Sequence, residues 1–235
     1  MVAPERPAER RAEGNGGAAA VRVHQVVLDG RPVATDVLDA AERERHRRLR
    51  RQPDRDRFAA GATLLRIAAG TAFGLDPAEV EVVRTCDGCG LPHGRPKVAG
   101  SPVHCSVAHA GRHVLVALSS TGPVGVDIED VDRGLGDTRH RILPHLSAPG
   151  EDDPDADGGW LARWVRKEAL LKLSGEGLRR PMTTLRVRRL TLDTFDIVDP
   201  PTPLVDAVVQ DIIVDGAIAA VATYGAATVS LLRAT

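Results

Sequence analysis

"RWVRKEALLKLSGE", residues 163–176, decides how the rest of the chain is read. Laid over "RFAAGATLLRIAAG", residues 57–70, it places Arg163 on Arg57, Trp164 on Phe58, Leu170 and Leu171 on Leu64 and Leu65, and Lys172 on Arg66. A candidate strand follows each stretch. Each region then ends on an apolar strand, "HVLVALSS" (113–120) in one and "AAVATYG" (219–225) in the other. Two helices in equivalent places predict an α+β chain of two similar halves in a pseudo-twofold arrangement; two amphipathic helices that merely share a composition are the plainer reading of the repeat. The halves divide near Ser119–Thr121, as residues 21–119 and 120–235, and a ligand cleft belongs between them.

Composition bounds the rest. At 235 residues, 43% of them hydrophobic and only 3% aromatic, the chain has a core to bury and must fill it with Leu, Val, Ile and Ala. A formal net charge of −1 gives no global attraction to nucleic acid or to an anionic membrane. No apolar run approaches the ~20 residues of a membrane span. The opening "MVAPERPAERRAEGNGGAAA" (1–20) lacks an apolar h-region and reads as a disordered tail, not a secretory signal. Three cysteines, Cys86, Cys89 and Cys105, are too few and too odd for a disulfide framework, so the expected compartment is the cytoplasm.

Local patterns fill in the elements. Residues 21–28 alternate as a first strand, and residues 36–74 read as helix, with Asp36 or Asp39 as N-cap, an interruption at Pro53 and an end at Gly74. "EVEVVR" (79–84) is a short strand before a Gly/Pro-rich loop. Two strands joined at "HAGRH" (109–113) and a strand at 123–131 come next. Residues 132–159 form a long polar connection with a helix near 137–146, and strands lie in "LRVRRLTL", "AVVQDIIV" and "AIAAVATYG".

The chemistry concentrates in two places. In "VGVDIED" (124–130) the strand period of two puts Asp127 and Glu129 on one face and Val124, Val126 and Ile128 on the other. Two carboxylates about 7 Å apart along one edge repel unless something sits between them. A hard divalent cation fits there; solvated acids at a strand end are the plainer reading of that fragment alone. In the helix, Leu161, Trp164, Val165, Glu168 and Lys172 form one stripe at i, i+3, i+4 spacing. A carboxylate and an ammonium thus continue an apolar, inward face. Of the 31 Lys and Arg residues, only Lys97, Lys167 and Lys172 are lysine. Lys172 is a compact point charge suited to a crowded phosphate; Lys167 either touches substrate or only lines the helix.

"GVDIE" (125–129) followed by "WVRKEALLKLSGEGL" (164–178) resembles the paired signature of the 4′-phosphopantetheinyl transferases. "GRPKV" (94–98), "CSVAHAG" (105–111) and "LRRPMTTLRV" (178–187) resemble its Sfp-type branch. The resemblance runs from about Glu42 to Tyr224. It implies a monomer of two similar α+β halves that moves the phosphopantetheine arm of coenzyme A to a serine of an apo acyl or peptidyl carrier protein and releases 3′,5′-ADP. Sfp-type enzymes typically serve polyketide and non-ribosomal peptide assembly. By this resemblance Asp127, Glu129 and Glu168 hold Mg²⁺, and Glu168 also accepts the serine proton. Lys172 contacts the pyrophosphate, and His109 contacts the phosphates. Arg45, Arg57, Arg95 and Pro96 surround the nucleotide and its 3′-phosphate. The chain departs from the pattern at Ala108, where the family commonly has Ser, and at Arg43, beside a position that is often Lys.

Other features have plainer readings. Cys86-x2-Cys89 with His93 has metal-ligand spacing but no evident fourth ligand, so it reads as a turn carrying two free thiols. "RERHRRLRRQPDRDR" (43–57) is interleaved with acids and lacks aromatic stacking residues, which favours a solvated helix face over a nucleic-acid patch. A catalytically silent CoA or nucleotide binder is the alternative function; such a binder has no need of a base at Glu168.

Overall fold

The computed structural model describes residues 19–86, 88–131, 136–153, 155 and 158–234. The expected tail therefore lies outside the described residues over 1–18, while Ala19 and Ala20 already belong to the first strand. Eleven strands and four helices are described: β1 (Ala19–Val27), α1 (Ala40–Arg48), α2 (Gln52–Phe73), β2 (Val82–Val83), β3 (Lys97–Val98), β4 (His104–Ala110), β5 (His113–Ser119), β6 (Val124–Asp130), α3 (Gly136–Leu146), α4 (Gly159–Ser174), β7 (Arg186–Arg189), β8 (Thr194–Val198), β9 (Ala207–Val214), β10 (Ala217–Tyr224) and β11 (Ala227–Arg233).

The strands form two sheets, ordered β11-β1-β5-β4-β3-β2 and β6-β10-β9-β8-β7. They pack face to face. Leu115 and Ala117 of β5 meet Val124, Val126 and Ile128 of β6 and Ala219 and Val221 of β10 in one core. The alternate residues of β5, Val114, Val116 and Leu118, face Leu64, Leu65 and Ala68 of α2. On the far side, Ala220 and Ala222 of β10 pack on Val165, Ala169, Leu170 and Leu173 of α4. The result is a mixed α+β stack with helix, sheet, sheet and helix in order. β5 is buried along its whole length because both of its faces are covered.

Local signals account for the helices. Asp39 caps α1 through a capping box with Glu42. Pro53 sits in the first turn of α2, where its missing N–H is not needed. Gly74 and Gly175, at φ +68° and +77°, end α2 and α4 in the left-handed conformation.

Several strands differ from expectation. The strand anticipated over 79–84 pairs only at Val82 and Val83, because its partner β3 offers only Lys97 and Val98. β8 and β11 were not anticipated. β11 pairs parallel with β1, from Ala19↔Ala227 to Gln25↔Arg233, so a strand from the last ten residues completes the first sheet. The change from sheet to sheet at Ser119–Val124 is thus followed by a return.

Candidate active site

β4 and β6 run side by side where the two sheets meet, joined by the Val126 amide donating to Ser106 Oγ at 3.1 Å. β6 carries Asp127 and Glu129 on the same side as Gly125, the side that α4 covers. A Cβ at Gly125 would fall on the Ala169 carbonyl oxygen and crowd the Leu173 amide. Only a bare Cα lets α4 lie this close to the strand. The close approach brings Lys172 to Asp127: its Nζ donates to Asp127 Oδ1 at 2.7 Å and to the Val126 carbonyl at 3.0 Å.

The electrostatics follow from that packing. Asp127 is buried, and burial raises its pKa while Lys172 pulls it back down. Its second oxygen, Oδ2, is buried with no hydrogen-bond partner among the described residues. Glu168, one turn before Lys172, is pushed up to about 7, first by burial and then by the charges of Asp127 and Glu129, with Lys172 opposing. Three mutually repelling carboxylates, one with an orphaned buried oxygen, form a donor set that suits a hard divalent cation. Their oxygens do not converge to within 4.8 Å; among the described residues only Cys86, Cys89 and His93 do so. The Lys172 ammonium holds one oxygen of Asp127.

Two cavities open from this point. One of about 270 Å³ is lined by Arg45, Arg57, Arg84, His109, Asp127, Glu129 and Lys172. The other, of about 450 Å³, is lined by Arg84, His93, Arg95, Pro96, Lys172 and Arg179. Arg84, Val107 and Lys172 belong to both. His109 faces out of β4 at the cleft; its pKa is lowered by the surrounding protein and by the charges of Arg57 and Lys172. Arg57 is held by the Gly111 carbonyl at 3.0 Å and by Asp54. Arg45 is exposed and stacks over the Phe58 ring at 5.1 Å. Arg95 donates to the Lys172 and Leu173 carbonyls and so caps the last turn of α4. Pro96 is buried and accepts the Cys105 thiol on its carbonyl.

The two helix lysines have different fates. Lys167 is fully buried on the opposite side of α4, where it donates to Glu151 at 2.6 Å, to the Leu146 carbonyl at 2.7 Å and to the Met182 carbonyl at 3.3 Å. Burial lowers its pKa to about 8. It fastens the segment after α3 to α4 and does not reach the cavities. Arg84 is a cleft residue that the sequence reading missed. Its Nε is buried without a partner among the described residues, and burial lowers its pKa. The only signal in the sequence was its place at the end of "EVEVVR". Arg179, five residues past the end of α4, was missed too.

No helix among the described residues is long and apolar enough to cross a membrane. Residues 123–221, which contain β6, α4 and the acids just described, match the profile of the 4′-phosphopantetheinyl transferase superfamily. The chain is 30% identical over 180 residues to a 4′-phosphopantetheinyl transferase of Bacillus subtilis, covering 72% of this chain and 76% of that one. It is 34% identical over 102 residues to a phosphopantetheinyl transferase of a Thraustochytrium species, covering 42% of this chain and 33% of the relative. It is 29% identical over 118 residues to the 4′-phosphopantetheinyl transferase AcpT of Salmonella typhimurium, covering 45% and 62%. With the family match spanning Asp127, Glu129, Glu168 and Lys172, and a relative 30% identical over most of both chains, the chain belongs to the 4′-phosphopantetheinyl transferase superfamily.

Proposed function

We propose that this protein transfers the 4′-phosphopantetheine arm of coenzyme A to a serine of an acyl or peptidyl carrier protein, as a Mg²⁺-dependent monomer of the Sfp type. The observation that carries the reading is the contact of Lys172 with Asp127 where two arginine-walled cavities join, with the Glu168 carboxyl one turn earlier on α4 feeling the charges of both. A pyrophosphate and a 3′-phosphate need several cations around one acidic, metal-competent centre, and that combination is what the cleft offers.

In this reading the serine oxygen bonds to the phosphorus nearest pantetheine. The bond from that phosphorus to the bridging diphosphate oxygen breaks, and 3′,5′-ADP leaves with the electron pair. Glu168 takes the serine proton, directly or through water. Lys172 supports the charge that develops on the leaving diphosphate. Asp127, Glu129 and Glu168 would hold Mg²⁺, which when bound neutralises diphosphate charge. His109 contacts the phosphates, and Arg45, Arg57, Arg95 and Pro96 surround the nucleotide. The cleft lies between two similar halves, 21–119 and 120–235, with β11 crossing back to the first. The carrier is one of polyketide or non-ribosomal peptide assembly, and the compartment is the cytoplasm. An acidic carrier helix docks beside the arginine-rich rim, which makes association salt-sensitive.

The test is incubation of the protein with coenzyme A, Mg²⁺ and apo carrier protein, read by intact mass. A carrier gaining the phosphopantetheine arm supports the reading. Binding of coenzyme A with no transfer to any carrier would identify a silent CoA binder.

A further inference from the structure

The loop between β2 and β3 carries a cluster that the transfer reading does not use. One ligand atom from each of Cys86, Cys89 and His93 lies within 4.8 Å of the other two. Cys89 Sγ and His93 Nε2 are 2.9 Å apart. We propose that these three side chains bind Zn²⁺, and that the metal clips the loop into the shape of the cavity wall it forms.

The backbone is folded for this. The Gly90 amide donates to the Cys86 carbonyl at 2.8 Å, and the Cys86 amide donates to the Leu91 carbonyl at 2.8 Å. The Gly88 and Cys89 amides point at Cys86 Sγ. The Gly90–Cys86 bond closes a tight turn, with Gly90 at φ +72° in the left-handed region. The loop then closes: the Gly94 amide donates to the Arg84 carbonyl at 2.7 Å. A Cβ at Gly94 would fall on the Thr85 carbonyl and crowd the Cys86 Cα. That closure carries His93 back to the thiols.

The loop has no apolar core of its own, only a two-residue strand at each end. A metal supplies the cross-links that such a segment lacks. Two thiols and an imidazole select a borderline-soft ion such as Zn²⁺ over Mg²⁺ or Ca²⁺. Three protein ligands leave the fourth position to water. A disulfide between Cys86 and Cys89 is the competing chemistry, but both thiols are free and a disulfide has no use for the imidazole in contact with Cys89.

The site is distinct from the carboxylates of β6 and α4, and its existence does not depend on the transferase reading. Its consequence reaches the same cleft. Cys86 and His93 line the larger cavity, and Arg95, two residues on, bonds the last carbonyls of α4.

The test uses the full chain purified without a metal-binding tag. Expected are about one zinc per chain and, after exchange to Co²⁺, a thiolate-to-metal charge-transfer band. Cys89→Ser and His93→Ala each lower zinc content by at least about tenfold, whereas Glu168→Gln retains it. Hydrogen exchange over residues 84–94 slows when zinc is bound. Zinc content unchanged in both loop variants overturns the proposal. So does a Co²⁺ spectrum without the thiolate band, or a Cys86–Cys89 disulfide in protein taken from a reducing cytosol. If Cys89→Ser does not fold, the Co²⁺ spectrum of the unsubstituted chain decides.

Discussion

Lys172 meets Asp127 at 2.7 Å across the contact between α4 and β6, while Glu168, one turn earlier on the same helix, receives only the longer-range attraction of that ammonium. Burial first, and then the charges of Asp127 and Glu129, therefore outweigh that attraction at Glu168. Its carboxyl is held at about 7 against an ordinary 4.5, so the native state binds this proton more tightly than the unfolded chain does. The group's contribution to stability is fully present below the unfolded value and is lost as pH rises through about 7. Glu168→Gln should thus stabilise the metal-free protein at pH 8, by on the order of 1–3 kcal/mol, and do little at pH 4. Transfer should fall by about 10²–10⁴-fold through loss of the base. Melting temperature at both pH values, measured with transfer rate, checks this. A variant that remains fully active would remove Glu168 from the chemistry.

Lys167 should behave as part of the scaffold. Its ammonium and the Glu151 carboxylate are both fully buried, and Glu151 also accepts the Ala148 and Val187 amides. Lys167→Met leaves that carboxylate without its nearest cation, which typically costs about 3–5 kcal/mol. The folded fraction should keep its KM for coenzyme A. Lys172→Met should cost less stability, because the Lys172 side chain is 29% exposed where that of Lys167 is fully buried, and should lose most of the transfer. Urea denaturation beside steady-state kinetics on the two variants separates the roles.

Gly125→Ala is a test of position without any change of charge. The added methyl collides with the backbone of α4 at Ala169 and Leu173, where no side chain can swing aside. Overpacking of this kind costs about 1–3 kcal/mol. The helix must also lift from β6, which parts Lys172 from Asp127. Transfer should fall by more than the stability loss explains, roughly 10²-fold for a displacement of about 1 Å. Activity measured well below the melting temperature gives the answer; wild-type rates there would mean that α4 tolerates the shift.

Dephospho-coenzyme A should bind more weakly than coenzyme A by roughly 10–100-fold, the worth of one or two charge-assisted hydrogen bonds. Arg57→Ala should shrink that difference if the smaller cavity reads the 3′-phosphate, and Arg95→Ala if the larger one does. Arg95 also caps α4, so its variant needs a melting curve alongside the calorimetric titration. Equal affinity of the two ligands would show that no cation reads that phosphate.

The sequence by itself determined the elements whose signals are local. Apolar residues at helical spacing, Pro53 and the two terminal glycines marked α2 and α4. Strict alternation in β6 placed Asp127 and Glu129 on one face and Val124, Val126 and Ile128 in the core. The i, i+4 spacing put Glu168 and Lys172 on one stripe. What lay beyond reach were contacts between segments distant in the chain. β11 is a short strand whose partner, β1, lies about two hundred residues earlier. Lys167 and Lys172 look alike in sequence, yet they lie roughly 140° apart around α4 at 100° per residue. One meets Glu151 and the other Asp127 because different layers cover the two sides. Arg84 enters the cleft, Arg95 lands on the end of α4, and His93 returns to Cys89 through loop closure. Periodicity and capping are properties of a few consecutive residues, whereas those meetings depend on how the layers stack, and only the packed core sets that.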